Sequence, residues 1–282
     1  MTLQRLPTPA LRPFVARLWA SDDPETADRA APVREHLLPT GAMHVVLRLT
    51  DSPLYIVDPL CGPDALALDH ALVGGARSRF YVRELSTPAC SVGAVLHPGV
   101  AGCLFGVAAD GLAGRHTPLE ALWGASAQQL RERLRDTAGA EARLGVLEAA
   151  LLARLPRVRG LHPAIAAALA QLSCGRTVAA AVQDSGYSHR RFVALFRQDV
   201  GLGPKSWQRV QRFQRALPVL AAPGDEAPSL AALAADAGYS DQSHFNRDFL
   251  AFAGVTPLAY RARAGMDVNH LRIGGDATAR HG

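Results

Sequence analysis

The chain carries the same long sentence twice in its C-terminal half. TVAAAVQDSGYSHRRFVALFRQDVGLGPKSW starts at Thr177, and SLAALAADAGYSDQSHFNRDFLAFAGVTPLAY starts at Ser229. Gly186-Tyr187-Ser188 and Gly238-Tyr239-Ser240 are offset by 52 residues, whereas Phe192/Phe245, Phe196/Phe249, Gly201/Gly254, Pro204/Pro257 and Trp207/Tyr260 are offset by 53. One residue is therefore inserted just after the Ser, and the register otherwise holds. Two copies at this spacing demand two similar structural units.

Each copy reads as helix, glycine turn, helix. Val178, Ala181 and Val182, matched by Leu230, Leu233 and Ala234, keep the i, i+3, i+4 spacing that puts apolar groups on one helix face. Gly186 and Gly238 stand where a chain leaving a helix needs positive φ, and Ser188 and Ser240 follow where a hydroxyl can cap the next helix. In that second helix Phe192, Leu195 and Phe196, or Phe245 and Phe249, turn to the core. His189, Arg190, Val193, Ala194 and Arg197, or Gln242, Ser243, Asn246 and Arg247, are left outside, as in a helix-turn-helix with an exposed recognition helix. Gly203-Pro204 and Thr256-Pro257 then start a further helix in each copy, because Pro suits the first helical position.

Charge separates this reading from an ordinary pair of helical hairpins. Residues 157–215 hold ten basic residues against two acidic ones, a balance of +8, whereas residues 1–155 hold 15 Arg against 16 acids. The chain's net +5 thus conceals a near-neutral half and a half fit to meet duplex phosphates. Residues 216–282 return to −2, from five Arg and seven acids, so the two units are electrostatically unequal.

Residues 161–264 resemble the DNA-binding domain of the AraC/XylS family of bacterial transcription regulators. The resemblance rests on Gly238-Tyr239-Ser240-Asp241-Gln242-Ser243-His244-Phe245-Asn246-Arg247-Asp248-Phe249, on Gly254-Val255-Thr256-Pro257 and Tyr260-Arg261, and on Trp207 to Leu217, which matches the family's linker helix. It implies seven helices in two subdomains, two recognition helices entering successive major grooves of double-stranded DNA, RNA polymerase as a partner, and control by a small-molecule effector. The family's base-contacting positions fall on Arg190, Val193 and Ala194, with His189 and Arg197 beside them, and on Gln242, Ser243, Asn246 and Arg247. Val193 and Ala194 offer only methyl contacts, while Arg247 suits guanine and Gln242 or Asn246 suits adenine. Arg191, Arg197 and Arg212 are expected on phosphates.

The expected fold class is α+β: a β-rich barrel or sandwich-like sensor domain with a helical hairpin over residues 1–156, then the all-α domain over 161–264, then a flexible tail over 265–282. Runs at His44–Leu49, Leu54–Val57, Ala71–Val73, Phe80–Arg83 and Ser91–Val95 read as strands. Ala127–Thr137 and Ala140–Leu155 read as helices whose Leu130, Leu134, Leu144, Leu147 and Leu151 could seal the sensor or a homodimer. Pro156-Arg157-Val158-Arg159-Gly160 breaks the pattern and marks the boundary. Leu38-Pro39-Thr40-Gly41, His97-Pro98-Gly99 and Leu119 to Gly124 resemble a subgroup of the family with no assignable effector, so the effector-binding residues stay unknown.

Other chemistry is poorly represented. No secretory leader opens the chain, and Ala94 to Ala109 is broken by His97, Pro98 and glycines, so a cytoplasmic protein without a membrane span is expected. Cys61, Cys90, Cys103 and Cys174 lack paired spacing, which reads as free buried thiols. His36, His44, Cys61, His97 and Cys103 could ligate a metal but show no metal-site spacing, so no metal or cofactor is expected. Pro204 spoils a phosphate-loop reading of Gly201–Ser206, and no nucleophile elbow occurs, so no catalytic residue is expected. Two alternatives are kept: a DNA-binding module fused to an enzymatic or reactive-Cys domain, made less attractive by the lack of basic neighbours at Cys90 and Cys103, and an effector-independent DNA-binding protein.

Overall fold

The computed structural model describes residues 2–23, 33–52, 54–58, 64–85, 89–155, 161–222, 228–265 and 267–273. Its strands are β1 (Thr2–Arg5), β2 (Val15–Asp23), β3 (Val33–Leu37), β4 (His44–Arg48), β5 (Leu54–Val57), β6 (Leu66–Leu68), β7 (Ala71–Gly74), β8 (Tyr81–Leu85), β9 (Ala89–Leu96), β10 (His116–Pro118) and β11 (His270–Ile273). Its helices are α1 (Ala101–Phe105), α2 (Ala109–Leu112), α3 (Leu119–Trp123), α4 (Ala125–Asp136), α5 (Ala140–Leu152), α6 (Pro163–Ser173), α7 (Val178–Ser185), α8 (His189–Val200), α9 (Pro204–Ala221), α10 (Leu230–Asp236), α11 (Gln242–Ala253) and α12 (Pro257–Arg261). The fold is α+β.

The strands form two antiparallel sheets, ordered β1-β2-β9-β4-β7-β10 and β11-β3-β8-β5-β6. Alternation along a strand sends successive side chains to opposite faces, and β4 divides its residues in this way. Val45 and Leu47 join a core with Leu18, Val73, Val92, Ala94, Leu96 and the helix leucines Leu130, Leu134, Leu144, Leu147 and Leu151. Those five leucines, which could equally have served a dimer, all pack into the core of the β-rich half, each 4% exposed or less. His44 takes the opposite face of β4, toward the second sheet, where Arg83 and His270 act on it electrostatically.

The helices α6 to α12 are two three-helix units threaded on α9. Ile165, Leu172, Phe192, Phe196 and Trp207 form the first core, and Val210, Phe213, Leu217, Phe245, Phe249 and Tyr260 form the second. The linker helix thus supplies Trp207 to one core and, one turn later, Val210 and Phe213 to the other.

The expected tail is not a free end. His270–Ile273 form β11, paired antiparallel with β3, and Leu271 and Ile273 are buried in the second unit's core together with Leu38 from the sensor half. Only two apolar residues alternate in His270-Leu271-Arg272-Ile273, too few to register as a strand from sequence. The expected boundary at residues 156–160, and the tail beyond Ile273, lie outside the described residues. The sensor and the helical half also meet along a seam. His36 Nδ1 lies 2.9 Å from the Ala253 carbonyl, Gln211 donates to Thr40 O at 3.1 Å, and Gln214 donates to Pro39 O at 2.8 Å and to Asn269 Oδ1 at 2.7 Å.

Candidate nucleic-acid interface

The two helix-turn-helix units are built alike but capped differently. Gly186 leaves α7 at φ 69° and Ser188 caps α8, its hydroxyl accepting the Arg191 N–H. Gly238 takes φ 84° in the second turn, but there the cap has moved from Ser240 to Asp241, whose carboxylate accepts the His244 N–H at 2.7 Å. Asp241 is the inserted residue. Its carboxyl is held below the usual range by that backbone bond first and by the Ser240 hydroxyl second, the expected response of a carboxylate at a helix start.

The outward faces largely follow the periodicity. Phe192, Phe196, Phe245 and Phe249 are fully buried, while His189, Arg190, Arg191, Ala194, Arg197, Gln242, Ser243 and Arg247 are exposed. Two expected readers are partly withdrawn. Val193 is half-buried against the first core. Asn246 is also half-buried, its Oδ1 shielded and without a hydrogen-bond partner among the described residues. Arg212 is structural as well as basic: half-buried, it donates to the Gly238 carbonyl at 3.0 Å and lies 5.1 Å from the Tyr239 ring centre.

Sequence reasoning missed the ion pair beneath the second recognition helix. Asp248, 4% exposed, accepts two hydrogen bonds from Arg209 on α9, at 3.1 and 2.5 Å. Phe245, Asp248 and Phe249 stand at i, i+3 and i+4, so the periodicity places this carboxylate on the buried face, but its partner on α9 is visible only in the fold. The bidentate pair ties the recognition helix to the linker.

Residues 181–263 match the family model described as a helix-turn-helix domain. A stretch of 96 residues is 29% identical to the arabinose operon regulatory protein of Escherichia coli (strain K12), covering 34% of this chain and 32% of that protein. Residues 181–263 thus form a helix-turn-helix domain, and the chain is similar over part of its length to that arabinose regulator. The chain spans about a third of the length of that curated relative. Ahead of the helix-turn-helix domain, residues 3–118 match a family described as a domain of unknown function (DUF6597). Among solved structures, ToxT from Vibrio cholerae aligns over 93% of this chain and 98% of its own at 8% identity with a TM-score of 0.46. A second ToxT structure, from Vibrio cholerae strain SCE256 with an unsaturated fatty acid bound, aligns over 92% and 94% at 10% identity with a TM-score of 0.44.

In the β-rich half ahead of the helix-turn-helix domain, the groups between the sheets are polar. His44, Gly74 and His116 lie side by side on β4, β7 and β10, and a Cβ on Gly74 would fall 2.2 Å from the His44 ring, so only glycine admits that ring. Arg77 lies 4.4 Å from the Tyr81 ring centre, and its guanidinium meets His116 Nδ1 at 3.5 Å. Accepting there leaves the neutral imidazole's proton on Nε2. Nε2 is buried with no partner among the described residues. Burial, then Arg77, drives His116 down to about 3, and the same two causes bring His44 to about 4. Across the gap Glu35 pairs with Arg83 and stands 3.6 Å from His270.

The remaining candidates disperse. His36 stacks on Phe80 at 4.3 Å and His97 is exposed. Cys61 lies outside the described residues, and among those residues no cluster of three or more His, Cys, Asp or Glu could hold a metal. Cys174 is exposed rather than buried. Cys90 does have a basic neighbour, because Arg143 reaches its Sγ at 3.1 Å, but burial outweighs that charge and pushes the thiol up. Among the described residues no helix is long and apolar enough to cross a membrane.

Proposed function

We propose that this chain is a sequence-specific, DNA-binding transcription regulator of the AraC/XylS type, controlled by a small molecule held in the N-terminal sandwich and acting with RNA polymerase in the cytoplasm. The observation that carries the reading is the pair of helix-turn-helix units whose apolar faces are fully buried while Arg190, Arg197, Gln242, Ser243 and Arg247 stay exposed. An exposed polar recognition face is what direct readout requires. Arg190 and Arg247 are assigned to guanine, Gln242 and Ser243 to neighbouring base edges, and His189, Arg191 and Arg197 to phosphates. Ala194 supplies a methyl contact. Val193 and Asn246 are secondary, because both are half-buried.

The effector is assigned to the mouth between β6 and β10. A cavity of about 190 Å³ opens there, lined by Leu66, Ala67, Leu68, Leu72 and Pro118 with His116 and Asp69 as its polar residues. A small, mainly apolar and uncharged molecule fits that lining, since the Asp69 carboxylate disfavours an anion there. The raised Cys90 thiol weighs against a reactive-Cys enzyme. The test is linkage. A compound that stabilises the full chain to heat is expected to shift its affinity for duplex DNA, and DNA to shift the affinity for the compound by the same factor. Turnover of the compound with DNA affinity unchanged would favour an enzyme; stabilisation by no compound would favour the effector-independent reading.

A further inference from the structure

The helix-turn-helix domain has a third basic feature, which belongs to neither recognition helix. Lys205, Gln208, Arg212 and Arg215 stand at i, i+3, i+7 and i+10 on α9, a single stripe of the helix. The opposite stripe, Trp207, Val210, Phe213, Leu217 and Leu220, is buried in the two cores. The basic stripe floors a cleft of about 360 Å³ with Thr177 at one wall and Gly238 at the other, and no Asp or Glu lines it. Thr177 caps α7 of the first unit, so the positive end of that helix adds to the field. Gly238 belongs to the turn of the second unit.

The arginines of the stripe are anchored by neutral partners. Arg212 donates to Gly238 O at 3.0 Å, and Arg215 donates both to Ser173 O at 3.1 Å and to Ala237 O at 3.3 Å, bridging the two units. Carbonyls fix the guanidinium groups without cancelling their charge. Lys205 is the one lysine among 30 Lys and Arg residues; it is exposed, and no ion-pair or hydrogen-bond partner holds it among the described residues. Both walls also lie on the side that meets DNA when a helix-turn-helix docks. The first helix crosses the backbone, and the turn precedes the base-reading end of the second.

We infer that this cleft binds the phosphodiester backbone between the two half-sites, making the linker helix a third DNA contact, with Lys205 supplying the mobile charge and Arg212 and Arg215 the fixed field. The inference rests on the reading of the chain as a two-headed DNA binder. Its consequence is specific. The clamp engages only when both heads are seated on one duplex, so it selects for half-site spacing and for DNA that bends toward α9.

The experiment uses the full chain, a duplex carrying both selected half-sites, and the same duplex with neutral methylphosphonates at the phosphates between them. Lys205→Gln is expected to fold as the wild type, because the side chain is exposed and unpartnered. It should reduce the log–log salt slope by about 0.9, the release expected for one phosphate contact, without altering base preference. The methylphosphonate duplex should weaken the wild type and leave Lys205→Gln nearly unchanged, and on a single half-site the two proteins should bind alike. An unchanged slope, or equal weakening of both proteins by the neutral phosphates, would overturn the inference. So would thermal stabilisation of the wild type, but not Lys205→Gln, by millimolar inorganic phosphate with the DNA slope unchanged, which would make the cleft a site for free phosphate. Failure of the wild type itself to bind the two-site duplex would instead sink the DNA-binding reading.

Discussion

Arg247 is the residue on which the proposed base recognition turns. It is exposed on α11, beyond the Asp241 cap and one position before the Asp248–Arg209 pair that fixes the helix on the linker. A guanidinium presented on a fixed helix can make the bidentate contact to guanine. Arg247→Ala should cost about 1–3 kcal/mol at one base pair and relax preference there. Uniform weakening on every sequence would make it a phosphate contact instead. In the sensor, His44 and His116 are neutral when folded, with pKa values of about 4 and about 3. Both lie below the unfolded value near 6.5, so the unfolded chain binds the extra protons and stability falls as pH drops through 6.5 toward 4. Each histidine contributes a slope of about 1.4 kcal/mol per pH unit in that window. Melting His116→Gln between pH 7 and 4.5 should give a shallower loss than the wild type, and an identical loss would mean that His116 is not neutral by virtue of folding.

Among the elements, α9 carries the most. Its place on α9 between the two heads would let Phe213 set their spacing, yet it lies in the second head's core with Phe249 at 5.1 Å and Phe252 at 5.2 Å. Phe213→Ala is therefore predicted to cost about 3–5 kcal/mol of stability, the usual penalty for emptying a buried phenyl site. It should lower binding to full and half sites together, and a loss confined to full sites would restore the spacing role. The helices were readable because the 3.6-residue period, the Gly186 and Gly238 turns and the Pro204 and Pro257 starts agree. The inserted residue was visible too, but not that Asp241 would take the cap from Ser240. Strands with β-branched runs, such as β4 and β5, were legible. Those whose apolar residues face another element at only two positions, such as β11, or that are polar throughout their middle, such as β3, were not. The seam and the cleft were invisible for a further reason: each depends on residues far apart in sequence, as with Gln214 and Pro39 or Lys205 and Thr177.

At the scale of the whole molecule, the β-rich half packs against the far ends of α8 and α11. Gly201 closes α8 at φ 89°, and a Cβ there would lie 3.1 Å from Ala109 O and 3.2 Å from Met43; Gly254 closes α11 at φ 73°, and a Cβ there would lie 2.5 Å from the Phe80 ring. The motif Leu38-Pro39-Thr40-Gly41 thus serves the seam, with Leu38 in the second head's core and Thr40 and Pro39 accepting from α9. A chain joined this way should melt in one calorimetric transition, and deleting residues 264–282, which removes β11, Leu271 and Ile273, should lower that transition as a unit. Two well-separated transitions would show that the halves are independent. A change in the sandwich then has a direct route to both recognition helices. The central claim, that one chain reads DNA with two heads, is tested most directly by selecting binding sites from random duplex DNA with the full-length protein. The account predicts a two-part motif whose halves are centred about one helical turn, 10–10.5 base pairs, apart, with Arg247→Ala blurring one half alone. A single uninterrupted half-site, or no enrichment over the starting pool, would contradict it.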